Sequence, residues 1–106
     1  MRSAQIDIFQ TFRVLAAPGR LAVLMLLAEQ AQTISQVASR LSTLHETAAA
    51  DMYYLLRLGL IERSFQKRGR EPFYQLPRTV QALPDKLVID ASGLEITIAR
   101  SLKETS

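Results

Sequence analysis

Apolar positions along the first part of this chain recur every three to four residues, and the pattern then shortens to alternation. Residues 5–16 place Ile6, Phe9 and Phe12 on one helical stripe, with Ile8 beside them and Leu15 and Ala16 closing it. Ala17-Pro18-Gly19 interrupts the stripe. Pro18 suits the first turn of a following helix, where its missing N–H would be unpaired anyway. Residues 20–30 are apolar at Leu21, Leu24, Met25, Leu27 and Ala28, as expected of a helix central to the core. Thr33-x-x-Gln36 is a capping-box pattern that opens a short helix with Ile34, Val37, Ala38 and Leu41 facing inward. Thr43-x-x-Glu46 repeats the device for a helix expected to run to about Leu58, buried along Leu44, Ala48, Met52, Leu55 and Leu56. Gly59 ends it as a left-handed cap.

Only Ser42 and Thr43 separate these last two helices, which is the tight connection of a helix-turn-helix. Residues 60–65 and 71–76 are apolar, β-branched or aromatic runs that predict two strands. Phe65, Phe73 and Tyr74 are expected to pack on the hairpin face. The turn Lys67-Arg68-Gly69-Arg70 has a glycine available for positive φ. Pro72 cannot donate to a ladder, which places its strand at an edge. Residues 77–84 read as a connector with room for one helical turn. Residues 86–90 and 94–98, around Ala91-Ser92-Gly93, read as a second β-hairpin, because Ile96-Thr97-Ile98 is β-branched throughout. Leu94, Ile98 and Leu102 also fit a helix face, so strand and helix both remain open for this tail.

The chain has 106 residues and a hydrophobic share of 48%, enough for one globular unit and small enough to favour a dimer. It has no cysteine, which excludes disulfides, thiolate metal sites and cysteine nucleophiles together. No apolar run follows Met1 and Arg2, and the stretch 21–28 is far too short to span a bilayer, so a cytoplasmic location without membrane association is expected. Net charge is +3, and its distribution says more than its size. Arg63, Lys67, Arg68 and Arg70 fall together with no acid among them, which suits an anionic partner. Ten of the 13 basic residues are arginines, the side chain suited to bidentate phosphate contacts. There is no Gly-rich phosphate loop, no histidine beside a plausible nucleophile and no carboxylate pair at a useful spacing, so no enzymatic activity is expected.

The segment Phe12-Arg-Val-Leu-Ala-Ala-Pro-Gly-Arg-Leu-Ala-Val-Leu-Met-Leu-Leu27 resembles the opening of ArsR-type winged-helix regulators, roughly A-L-x-x-P-x-R-L-x-I-L-x-x-L. Leu15, Ala16, Pro18, Arg20, Leu21 and Leu24 lie close to that pattern. Gln36-Val-Ala-Ser-Arg-Leu41 and Leu55-x-x-x-Gly-Leu-Ile61 fit the same family. The resemblance covers about residues 5–76. It implies a homodimeric, DNA-binding transcriptional repressor, often released by a metal or another signal. The chain departs from the family in three places. The metal-sensing Cys-x-Cys would fall near residues 34–36, and with no cysteine and His45 as the sole histidine, no metal or cofactor is expected. Relatives commonly carry a Ser/Thr-rich recognition helix with Arg or His, whereas this one reads Leu44-His-Glu-Thr-Ala-Ala-Ala-Asp-Met-Tyr53. The family usually ends in a dimerising helix, whereas this tail reads as strands.

Candidate DNA contacts follow from the residues off the apolar stripe. His45, Thr47, Ala49, Ala50 and Tyr53 are the groove-facing candidates of the recognition helix. Thr47 suits a phosphate or a base, and Ala49 or Ala50 a thymine methyl. No Lys or Arg occurs from 42 to 56 to read guanine, and Glu46 and Asp51 are a cost beside phosphates. Lys67, Arg68 and Arg70 at the hairpin tip are the phosphate-contacting candidates, with Arg40 and Arg57 extending the strip. The bland accounts are a helix that merely completes the core, a solvated turn, and an exposed His45 in an early helical turn. The reading is therefore α+β, mainly α: a winged helix-turn-helix over residues 1–76, then a C-terminal extension over 77–106 that serves dimerisation, its hairpin and the helix at 5–16 being the candidate dimer interface. The expected function is a regulator, in the repressor sense, binding duplex DNA as a homodimer. The alternative is a winged-helix interaction module that has lost specific DNA binding.

Overall fold

The computed structural model describes residues 17–83, 86–91 and 94–99. The helix expected at residues 5–16 lies outside them. Helix α1 (Pro18–Glu29) begins with Pro18 in its first turn, as expected of a residue with no N–H to leave unpaired. It buries Val23, Leu24 and Leu27, while Leu21, Met25 and Leu26 pack on the same cluster. Helix α2 (Ile34–Arg40) opens with the complete capping box: Gln36 N–H donates to Thr33 Oγ1 at 3.1 Å, and Thr33 N–H donates to Gln36 Oε1 at 2.9 Å. Helix α3 (His45–Arg57) buries Ala48, Met52 and Leu55.

Two expectations for the start of α3 are corrected. Its N-cap is Leu44 with no side-chain cap bond, so the Thr43–Glu46 box does not form. Thr43 is already committed to closing α2, since its N–H donates to the Ala38 carbonyl at 3.0 Å. Leu44 is not buried either, being 68% exposed. The turn forces the helix to start one residue later than the capping pattern suggests, and this carries Leu44 outside the buried stripe.

Strands β1 (Glu62–Arg68) and β2 (Glu71–Gln75) pair antiparallel across Gly69-Arg70. Gly69 has φ +64°, the requirement at the first position of a type II′ hairpin turn. β1 runs closer to the tip than expected, through Arg68, whereas β2 begins at Glu71 as expected. Tyr74 and Gln32 exchange backbone hydrogen bonds of 3.0 and 2.8 Å, which fasten the hairpin to the link between α1 and α2. The Gln32 side chain donates to the Leu26 carbonyl at 2.7 Å and so satisfies a carbonyl near the end of α1.

The tail forms strands. β4 (Lys86–Ala91) and β5 (Leu94–Ala99) make the expected hairpin, and β3 (Val80–Leu83) adds a third strand in the order β3-β4-β5. The connector at 77–84 therefore carries a strand rather than a helical turn. Val80 pairs with Ile89, and Ile89 with Ile96, so three β-branched residues line one face of the sheet. That face is buried, and Val80, Leu87, Ile89 and Ile96 join the same cluster as the helices. The architecture is α+β, with helices and a hairpin on one side of the core and a three-stranded sheet closing the other.

Candidate nucleic-acid interface

Helix α3 turns about 100° per residue, and its buried stripe of Ala48, Met52 and Leu55 defines the opposite side. That outward stripe carries Glu46, Ala50, Tyr53 and Arg57, all exposed. His45 and Ala49 flank it on one side and Thr47 on the other. Ala49 is half-buried and packs on the core, leaving Ala50 as the small residue open to a partner. Thr47 lines a depression with Pro18, Ala22 and Asp51 on the α1 side of the helix. His45 and Tyr53 line a different groove, shared with Arg63, Arg70 and Tyr74 of the hairpin. The fold thus brings together His45, Tyr53 and Arg70 but separates Thr47 from them.

Arg63 completes that groove. Its Nε donates to the Tyr74 hydroxyl at 3.3 Å, and this hydrogen bond holds the guanidinium above its ordinary pKa. Reading the strand as a string of basic residues did not single Arg63 out, because its place depends on its register partner Tyr74.

The hairpin is tied to the helices through Glu71. The Ser35 hydroxyl donates to Glu71 Oε2 at 2.6 Å, and His45 Nε2 stands 3.8 Å from the same oxygen. One carboxylate therefore joins the start of α2 to the hairpin and lies beside the start of α3. Asp51, counted above as a negative charge facing a partner, is paired with Arg20 at 3.3 Å, and the Arg20 guanidinium also lies 4.3 Å over the Tyr54 ring. Tyr54 thereby meets Arg20 of α1, while Tyr53 is 46% exposed.

The basic candidates divide by their partners. Arg40 pairs with Glu29 at 3.0 Å, and Arg57 lies 5.9 Å from the Tyr54 ring. Among the described residues no carboxylate lies within ion-pair distance of Lys67, Arg68 or Arg70, and all three are exposed. Arg68 and Arg40 face one another across an open cleft lined also by Gln36 and Glu71. Phe65 overturns an expectation: instead of packing on the hairpin face it is 106% exposed, whereas Tyr74 is buried and Phe73 half-buried. Among the described residues no group of His, Cys, Asp or Glu is placed to hold a metal ion, and no helix is long and apolar enough to cross a membrane.

A helix-turn-helix followed by a basic hairpin defines a winged helix-turn-helix, with α3 in the position of recognition helix and β1–β2 as the wing. The chain is similar to the solution structure of a homodimeric winged helix-turn-helix DNA-binding domain from Mycobacterium bovis, a possible ArsR-family transcriptional regulator. The two share 26% identity with a TM-score of 0.58, over 65% of this chain and 62% of that one. The match thus spans under two thirds of the relative's length, and it meets the ArsR-type resemblance read from the sequence. No family model matches the chain, and no curated protein does.

Proposed function

We propose that this protein is a DNA-binding transcriptional regulator, acting as a repressor and as a homodimer, with no catalytic role. The observation that carries the reading is the trio Lys67, Arg68 and Arg70, exposed and unpaired among the described residues, on a wing held beside the outward stripe of α3. Phosphates attract such a trio without sequence preference, so the wing supplies affinity and register. His45, Ala50 and Tyr53 supply base contacts, with Thr47 on the flank and Arg40 and Arg57 at the margins. In a two-fold dimer the recognition helices fall in major grooves about one helical turn apart. The extension at 77–106 serves as the dimerisation element. Its apolar face is committed to the core of its own chain, and β5 has a single strand neighbour among the described residues, so the outer edge of β5 is the surface that meets a second copy.

A second reading rests on a specific observation. The outward stripe of α3 opens with Glu46 and carries no cation before Arg57, which suits a winged-helix interaction module better than a guanine reader.

Incubating the protein with a random duplex pool at moderate salt, then sequencing what it retains, separates the two. Enrichment of a near-palindromic motif is the expected result. Retention without a motif reduces the function to backbone binding by the wing, and no retention at low salt replaces the reading with the interaction module. Changing Lys67, Arg68 and Arg70 to Glu abolishes retention; undiminished binding by that variant removes the wing from the interface.

A further inference from the structure

Arg63 stands opposite Tyr74 and Lys67 opposite Pro72. Ser64, Phe65 and Gln66 therefore face Phe73 alone, and β1 carries two more residues than its partner over this stretch. The excess is gathered into a bulge, held by the Gln66 N–H donating to Ser64 Oγ at 3.0 Å. Bulges redirect side chains, and Phe65 sits at the middle of this one with its ring wholly in solvent. A phenylalanine on a regular strand of this hairpin would share its packing with Phe73 or Tyr74. The bulge instead places an aromatic ring on the outside of the wing, between Arg63 on one side and Lys67 and Arg68 on the other.

We propose that Phe65 is a wedge for the minor groove of duplex DNA, inserted against or between base steps while the flanking cations hold the phosphates on either side. The inference rests on the DNA-binding reading above and deepens it by naming the groove and the contact. Charge selects the occupant. The ring is bracketed by cations, of which Lys67, Arg68 and Arg70 have no acidic partner among the described residues, and a patch of one sign attracts a polyanion. A polyanion with an apolar, stackable floor between two phosphate rows matches that pattern. Minor-groove proteins use such apolar wedges to unstack a base step and bend the duplex. The wing then contributes more than electrostatics: the ring adds an affinity term that salt does not screen.

The test uses the full chain and a duplex retained from the random pool. Phe65→Ala is expected to weaken binding about tenfold at every salt concentration, as loss of one aromatic–base contact does, while leaving the salt slope unchanged. Lys67→Ala should instead lower the slope by about 0.9, the value for one phosphate contact. The chain has no tryptophan, so Phe65→Trp installs a single reporter. Its emission should be quenched, and shielded from acrylamide, when the duplex is added. Energy transfer between dyes on the duplex ends should report a bend with the unsubstituted protein that Phe65→Ala removes. Tight binding by Phe65→Ala together with an acrylamide-accessible Phe65→Trp overturns the wedge and leaves the DNA-binding reading standing. Failure of the unsubstituted protein to bind any duplex overturns both. Shielding of the Phe65→Trp reporter on self-association, without DNA, assigns the ring to a protein contact instead.

Discussion

Ser42 and Gly59 hold the same backbone conformation, with φ of +54° and +80°, and each ends a helix in the same way. After α2, Ser42 N–H donates to the Ser39 carbonyl and Thr43 N–H to that of Ala38. After α3, Gly59 N–H donates to Leu56 and Leu60 N–H to Leu55. Both are Schellman closures, and only one has the glycine that the left-handed position favours. A side chain there costs roughly 1–2 kcal/mol, partly offset because glycine widens the unfolded ensemble by about 0.4–1 kcal/mol. Ser42→Gly should therefore stabilise the protein by about 0.5–1 kcal/mol. A thermal melt that rises by a few degrees confirms the closure, and a fall shows that the Ser42 side chain has a compensating role.

The tail sheet shares a core with the helices, since Ile89 lies in the same buried cluster as Leu24 and Leu55. Ile89→Ala should cost about 2–5 kcal/mol, the usual range for such a truncation. Helical and near-ultraviolet signals should be lost together in one denaturant transition with a lower midpoint. Two separated transitions would make residues 77–106 an independent unit.

Ala49 and Ala50 are neighbours in sequence and differ in surroundings. Ala50 is open on the outward stripe, whereas Ala49 packs on the core. Ala50→Arg should leave stability nearly unchanged and add preference for guanine at one position of each half-site, by about 1–3 kcal/mol. Ala49→Arg should instead lower the melting temperature. Motif enrichment and thermal melts on the two variants check this, and an unaltered motif with Ala50→Arg would place that stripe outside the groove.

Strand β5 has a single strand neighbour among the described residues, and Thr97 is exposed on it. Unprotected edges invite pairing, and Lys on an edge blocks it. Thr97→Lys should convert dimers to monomers in sedimentation at micromolar protein, with little change in monomer stability. A dimer that survives moves the interface away from β5.

Much of this architecture is legible in the residues themselves. The apolar stripes of α1 and α3, the Thr33–Gln36 box, the cap at Gly59 and the turn at Gly69 all depend on residues within one helical turn or one hairpin turn of each other. The strand at Val80–Leu83 was not legible, since a four-residue strand beside two prolines acquires its meaning only by pairing with β4. The candidate site divides similarly. The wing charges are a property of composition, whereas the placement of Arg63 beside Tyr53 and His45 requires the Tyr74 hydroxyl and the hairpin register.

Periodicity, capping and turn chemistry act over a few residues, so the order of the helices and of the two hairpins, the α+β class and the basic tip could be read from the residues, whereas β3 could not. Which side chains reach the surface depends instead on how the elements meet. Leu44 is outside because closing α2 uses the Thr43 N–H. Asp51 is neutralised because α1 brings Arg20 to it. Phe65 is outside because β1 carries more residues than β2 can pair, and a mismatch between two strands is a property of neither strand alone.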